Sequence, residues 1–128
     1  MERVNRDQKP TFVMYDEVTG EAGYQVWDVD HEGWTVSHEV AITDRDGTTR
    51  FAKLPGGGCQ CPHWGYVIHG ESTYVYQDHE ATYRTGEFFY LAPGHRPKHK
   101  KGTEWVTFSP TEPHRAAQRL TRGTADTK

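Results

Sequence analysis

The chain has 128 residues, 34% hydrophobic and 26% charged, with a formal net charge of -3 at pH 7. This length predicts a single domain, and the charge excludes a general attraction to nucleic acid or to anionic membranes. Two cysteines are too few for a disulfide scaffold, and no apolar run approaches the roughly 18 residues of a membrane span. The first ten residues lack a signal-peptide core, so we expect a cytoplasmic protein without a membrane or nucleic-acid partner.

Short segments with strand patterns follow one another along most of the chain. Residues 34–43 alternate between a mostly apolar and a mostly polar set of side chains, and we expect the apolar set, which contains Val36, His38 and Val40, to face the core. Glycines in residues 54–58 predict a loop. Further strands are predicted at residues 50–53, 64–68, 73–77, 81–84, 87–91 and 105–109.

The two ends of the chain are polar and lack strand patterns. We expect a flexible segment over residues 1–10, a core domain over 11–110, and a tail over 111–128 with a short helix near 115–120. Many short strands separated by glycine and proline turns, with no long helical pattern inside the core, predict an all-β sandwich or barrel.

Two blocks of sequence resemble the motifs of the cupin superfamily. VIHG at 67–70 is similar to the apolar strand and glycine that end the first cupin motif, and GEFFYLAPGH at 86–95 is similar to the second. The resemblance covers roughly residues 34–110, and the CxCPHWGYV run at 59–67 resembles a group of small bacterial cupins. It implies a double-stranded β-helix, or jelly-roll barrel.

The chain departs from cupins at the usual metal ligands. Where a typical cupin has His-x-His, this sequence has CQC at 59–61, and His63 falls near the position of the motif's glutamate. The histidine of the second motif corresponds to Pro97, with His95 and His99 on either side. The resemblance therefore implies the fold without supplying the usual ligand set.

The segment from Cys59 to His63 is the strongest candidate for a site. In an extended chain Cys59, Cys61 and His63 share a face, and Pro62 favours an edge or the start of a strand at an open barrel end, where ligands bind. Two thiolates and an imidazole favour zinc over magnesium or calcium. The cysteines could instead pack as small hydrophobic residues, or form a redox-active pair.

The remaining histidines differ in their surroundings. His95 follows the Pro93–Gly94 turn, which in cupins delivers a residue to the barrel mouth, and His99 has the same parity but lies in a lysine-rich run. His38 is expected to be a core or rim residue that could line the cavity. We expect exposure near turns or chain ends for His31, His69, His79 and His114.

These features predict a small cupin with one divalent metal, zinc before others, in the barrel. Its predicted ligands are Cys61, His63 and His95, converging within roughly 4–5 Å, with Cys59 and His99 as further candidates. Such a site could support isomerisation, cyclisation or hydrolysis of a small polar molecule, although no carboxylate base is evident. The alternative is a metal-free binding module or small-molecule sensor.

A homodimer is the expected assembly, because single cupin domains tend to pair and a covered sheet edge avoids uncontrolled association. Residues 12–15 form a strand that could cross to the partner. Trp64, Tyr66 and Ile68 alternate with His63 and Val67, and we expect them to form a second packed face.

Overall fold

A computed structural model of the chain describes residues 5–15 and 21–125, and strands dominate this part. The strands are β1 (Phe12–Tyr15), β2 (Ala22–His31), β3 (Trp34–Ala41), β4 (Arg45–Asp46), β5 (His63–His69), β6 (Glu71–Val75), β7 (Glu80–Arg84), β8 (Phe88–Leu91), β9 (Arg96–His99) and β10 (Glu104–Pro110). The helices are α1 (Thr48–Ala52) and α2 (Thr111–Ala125), and a 3₁₀ turn spans Pro55–Gly57.

The strands form two antiparallel sheets. One has six strands in the order β1-β2-β3-β10-β5-β8, and the other has four in the order β4-β9-β6-β7. The buried core includes Val26, Val67, Tyr74, Phe89 and Trp105, which come from strands of both sheets. This arrangement confirms the predicted all-β jelly-roll barrel.

The predicted inward face of β3 is wrong. Thr35, Ser37 and Ala41 are buried, whereas the side chain of Trp34 is 53% exposed. His38 lies on the outer face, where its Nε2 is 2.6 Å from a carboxylate oxygen of Glu104. The polar set faces inward because the barrel encloses a cavity with hydrogen-bonding groups, so the apolar set is left outside.

The outer face of the six-stranded sheet carries a row of aromatic side chains. Phe108 of β10 pairs with Trp64 of β5, and Trp64 pairs with Tyr90 of β8. Phe88 lies beside Tyr66 with ring centroids 4.6 Å apart and is 79% exposed. The alternation predicted for β5 is present, but its aromatic side is exposed rather than packed. We call this surface the aromatic face.

Two segments differ from the strand predictions. Residues 50–53 were expected to be a strand, but Thr48–Ala52 is a helix whose start is held by Asp46, since its carboxylate accepts hydrogen bonds from the Thr48 N–H and hydroxyl. Strand β9 extends into the lysine-rich run at 98–102 as far as His99, and it pairs with β4 and β6. Pairing on both sides explains why a polar sequence forms a strand here.

Both ends of the described chain contact the barrel. β1 pairs with β2 of its own chain, and the indole N–H of Trp27 donates to the carbonyl of Gln8 at 2.8 Å. The tail forms α2 over Thr111–Ala125, which is longer than the helix predicted over 115–120, and residues 126–128 lie outside the described part. No helix in the described ranges is both long and apolar enough to cross a membrane.

Candidate metal centre

Two groups of potential metal ligands meet at His63. Cys59, His63 and His95 each offer a donor atom within 4.8 Å of the others, and so do Cys61, His63 and His114. All five side chains are buried. The predicted trio of Cys61, His63 and His95 is thus divided: Cys59 joins the two histidines, while Cys61 lies with His114.

Backbone pairing brings Cys59 to His95. The N–H of Cys59 donates to the carbonyl of His95 at 2.9 Å, and the N–H of Gly94 donates to the carbonyl of Cys59 at 2.7 Å. Gly58 permits this approach, because a β-carbon there would lie 2.4 Å from the carbonyl oxygen of Gly94. The loop before β5 and the turn after β8 therefore form one side of the centre.

Hydrogen bonds orient the two histidines of the first group. His95 Nδ1 lies 2.9 Å from the carbonyl oxygen of Ala92, and because a carbonyl only accepts, Nδ1 carries the proton and Nε2 keeps a lone pair. His63 Nδ1 lies 2.6 Å from the hydroxyl of Ser109, and its Nε2 is 3.7 Å from Cys59 Sγ. Such partners hold imidazoles ready for coordination.

Burial sets the protonation states of the metal-free centre. It raises the pKa of Cys59 to about 11 and of Cys61 to about 12. Burial also lowers the pKa of His63 well below its usual value, with the neighbouring histidines adding to the effect, and lowers the pKa of His114 to about 4. At neutral pH the imidazoles are neutral, as ligands must be, and each coordinating thiol must release a proton.

His99 lies outside both groups. Its Nδ1 is 2.9 Å from the Tyr24 hydroxyl and its Nε2 is 3.4 Å from the Tyr74 hydroxyl. Its ring stacks on Trp105 with centroids 4.0 Å apart. The structure therefore gives this predicted ligand a place in the cavity wall, on a buried strand rather than in a solvated loop.

We expect His99 to make the protein sensitive to acid. Burial lowers the pKa of His99 to about 3, so below its unfolded value of about 6.5 the unfolded chain binds a proton that the folded chain does not. From pH 7 to pH 5 this costs about 2 kcal/mol of unfolding free energy. In urea unfolding of metal-free protein, His99→Gln should show a smaller loss over that interval, and equal losses in both proteins would contradict this.

A cavity of about 120 Å³ adjoins the first group. Its walls include Tyr24, Tyr74 and Trp105, and α2 covers part of it with Gln118. The volume is below the roughly 300–1,000 Å³ of drug-sized ligand sites, so the cavity favours a small molecule. The hydroxyl of Thr107 lines it and is buried without a hydrogen-bond partner.

Glu39 is a cavity carboxylate that the sequence interpretation missed. Burial raises the pKa of Glu39 to about 7, although Ser37 donates a hydrogen bond to the carboxylate at 3.3 Å. Glu39 and Cys59 both line the cavity, and the charge of Glu39 adds to the effect of burial in raising the pKa of Cys59. Near neutral pH this carboxyl group is present in both protonation states, as suits a proton donor or acceptor.

His114 was also missed, because it was expected to be exposed. Its side chain is buried in the first turns of α2, and its ring meets that of His63 edge-on with centroids 5.5 Å apart. Pro113 was a signal for a helix beginning near Thr111, since proline is favoured in a first helical turn. A helix started there includes His114.

Solved structures place this architecture among known folds. HppE in its iron(II) form matches with a TM-score of 0.58 and 15% identity, over 82% of this chain and 58% of that one. KdgF from Halomonas sp. matches with a TM-score of 0.52 and 17% identity, over 70% of this chain and 81% of that one. Both are cupin-fold proteins.

The chain has the cupin fold.

EutQ from Clostridium difficile, another cupin-fold protein, matches with a TM-score of 0.50 and 12% identity, over 70% of this chain and 64% of that one. The chain thus spans less than two thirds of the length of EutQ and of HppE. No protein-family model matches it, and no curated protein matches significantly. At such identities the likeness establishes the fold alone.

Proposed function

We propose that this cupin binds one divalent metal ion, preferably zinc, through Cys59, His63 and His95, and takes up a small polar molecule beside it. The observation that carries the proposal is the buried convergence of these three donor groups within 4.8 Å on a cavity wall. One thiolate and two imidazoles are ordinary zinc ligands, and catalytic sites commonly supply three protein ligands. The site residues fit the ion because both imidazoles are neutral at pH 7.

A bound divalent ion would polarise a carbonyl oxygen or activate a water molecule. Around it, Glu39 is placed to accept or donate a proton, and the unpartnered hydroxyl of Thr107 offers a hydrogen bond to a polar ligand. Aromatic side chains in the cavity wall lower the local polarity, which strengthens electrostatic interactions with a ligand. Isomerisation, cyclisation or hydrolysis of a small molecule fits these groups.

Elemental analysis of protein purified without an affinity tag tests the proposal, with thiol titration alongside. We expect about one metal ion per chain, and thiols that react only after chelation and unfolding. Protein without metal that also gains no thermal stability from added zinc would favour the alternative, a metal-free binding module. Cys59 and Cys61 are free thiols, which is consistent with the proposed cytoplasmic location.

We further propose that the protein forms a homodimer through the aromatic face. Large exposed apolar patches commonly mark interaction sites, and this one spans neighbouring strands β10, β5 and β8. Its centre is Trp64, which is 59% exposed. Tryptophan at the middle of an interface often dominates binding energy.

Trp64→Glu is expected to convert the dimer to monomer, because burying a carboxylate against the partner costs several kcal/mol. Sedimentation at tens of micromolar measures this. Leu120→Glu is the matched control, since Leu120 is also an exposed apolar residue, 51% accessible, but lies on α2. A monomeric wild type, or equal effects of the two substitutions, would contradict the proposed interface.

A further inference from the structure

The second ligand group, Cys61, His63 and His114, differs from the first because one of its ligands comes from a helix. His63 begins β5 and Cys61 lies two residues before it, but His114 comes from α2, which follows β10 directly. The His114 side chain is only 6% exposed, and its Nε2 has no hydrogen-bond partner. A buried nitrogen without a partner costs free energy unless it meets a ligand.

The start of α2 is fixed on the barrel by contacts that need no metal. Arg115 forms ion pairs with Asp28 at 2.8 Å and with Asp30 at 2.5 Å. The hydroxyl of Thr111 lies 2.8 Å from that of Thr35, in the buried face of β3. These contacts hold His114 beside Cys61 and His63 before any metal binds, as expected of a preorganised metal site.

The two ligand groups compete for one atom. His63 Nδ1 lies 2.6 Å from the Ser109 hydroxyl, and when Nδ1 donates its proton to that hydroxyl, Nε2 is the nitrogen left with a lone pair for coordination. One nitrogen lone pair binds one ion, so both positions cannot be filled together. This geometry describes alternative positions for a single ion.

We propose that Cys61, His63 and His114 form a second position for a zinc-like divalent ion, so that α2 itself carries a metal ligand. The second position shares His63 with the proposed cavity site and in that respect rests on the proposed function. On binding, the Cys61 S–H bond breaks, its proton passes to solvent, and the thiolate and two imidazole nitrogens each donate an electron pair to the ion. Occupation of this position ties α2, with its cavity-lining Gln118 and Thr121, to β5.

The test compares His95→Ala, His114→Ala and the double variant in zinc competition titrations of the full chain. His69→Ala is the control, since His69 lies on the same strand as His63 but is exposed. We expect wild type to bind one zinc ion. Each single variant should also bind one zinc ion, with an affinity no more than about a hundredfold below that of wild type, and the double variant should lose far more zinc affinity than either single variant. His69→Ala should match wild type.

The zinc affinities of these variants distinguish a failure of the cavity site from a failure of the second position. If His95→Ala alone binds as weakly as the double variant, the second position is overturned while the proposed cavity site stands. If His114→Ala alone binds that weakly and His95→Ala binds like wild type, the cavity site fails and the second position stands. If the double variant matches His69→Ala, both are overturned.

Hydrogen exchange supplies a readout that a purely structural role of His114 would not produce. In the His95→Ala background, zinc should slow amide exchange in the first turns of α2, because the ion joins that helix to β5. In His114→Ala, zinc should leave exchange there unchanged. Equal slowing in both variants would overturn the second position.

Discussion

His63→Ala should lower zinc affinity at least about a hundredfold, more than any other single substitution in the centre. His63 is the residue that both ligand groups share, so its loss leaves only pairs of ligands. Cys59 and His95 are each absent from one group, so their substitution leaves the other intact. Zinc competition with a chelating dye measures the difference.

Substitutions of two other histidines serve as controls for His63→Ala. His99→Ala should change zinc affinity by less than about tenfold, since both His99 nitrogens face tyrosine hydroxyls. His69→Ala should have no effect. Circular dichroism and urea unfolding show whether each variant is folded. A folded His63→Ala protein that binds zinc as well as His69→Ala does would contradict the assignment of both groups.

Gly58→Ala should destabilise the protein by about 2–4 kcal/mol and weaken metal binding as well. The added β-carbon would lie 2.4 Å from the oxygen and 2.6 Å from the carbon of the Gly94 carbonyl, and these are backbone atoms that cannot rotate away. Relief of the clash separates the paired segments that carry Cys59 and His95. Urea unfolding and zinc titration measure the two effects.

Gly86→Ala separates crowding from backbone strain. Gly86 has a φ of +87° with open space around it, so alanine there costs only about 1–2 kcal/mol of backbone strain and should leave zinc affinity unchanged. Gly58 has extended backbone that alanine tolerates, so any larger effect at Gly58 comes from the close approach. Equal stability and zinc affinity in the two variants would contradict the described pairing of the loop and the turn.

Short strands and glycine and proline turns predicted an all-β sandwich or barrel, and the resemblance to cupin motifs implied the jelly-roll fold that the structure has. The APGH segment ends β8, and Gly94 in it has a φ of +102°, a conformation that favours glycine. That turn is what places His95 beside Cys59. Alternation likewise predicted that His63 and Val67 point inward together, and both are buried.

Alternation could not tell which face of β3 points inward. The rule that apolar residues face the core holds when the interior is dry and the exterior solvated. Here the interior is a cavity with polar groups, and the exterior carries the aromatic face, so Thr35 and Ser37 are inside and Trp34 is outside. The inverted choice hid Glu39, whose inward position follows from the same parity.

Local sequence also could not reveal the contacts that bury His99 and His114. The lysines around His99 indicated a solvated loop, but pairing with β4 and β6 makes that segment a strand with an inward histidine. His114 is buried because α2 packs back on the barrel through Arg115 and the aspartates of β2. Both outcomes depend on partners distant in sequence.

X-ray absorption at the zinc edge tests the central claim, a buried cysteine–histidine metal centre, most directly. Each ligand group contains one cysteine and two histidines, so the zinc-loaded protein should show one sulfur at about 2.3 Å and nitrogen scatterers at about 2.0–2.1 Å, whichever position is filled. A shell of nitrogen and oxygen alone, without sulfur, would contradict it, because the ion would then lie outside both groups.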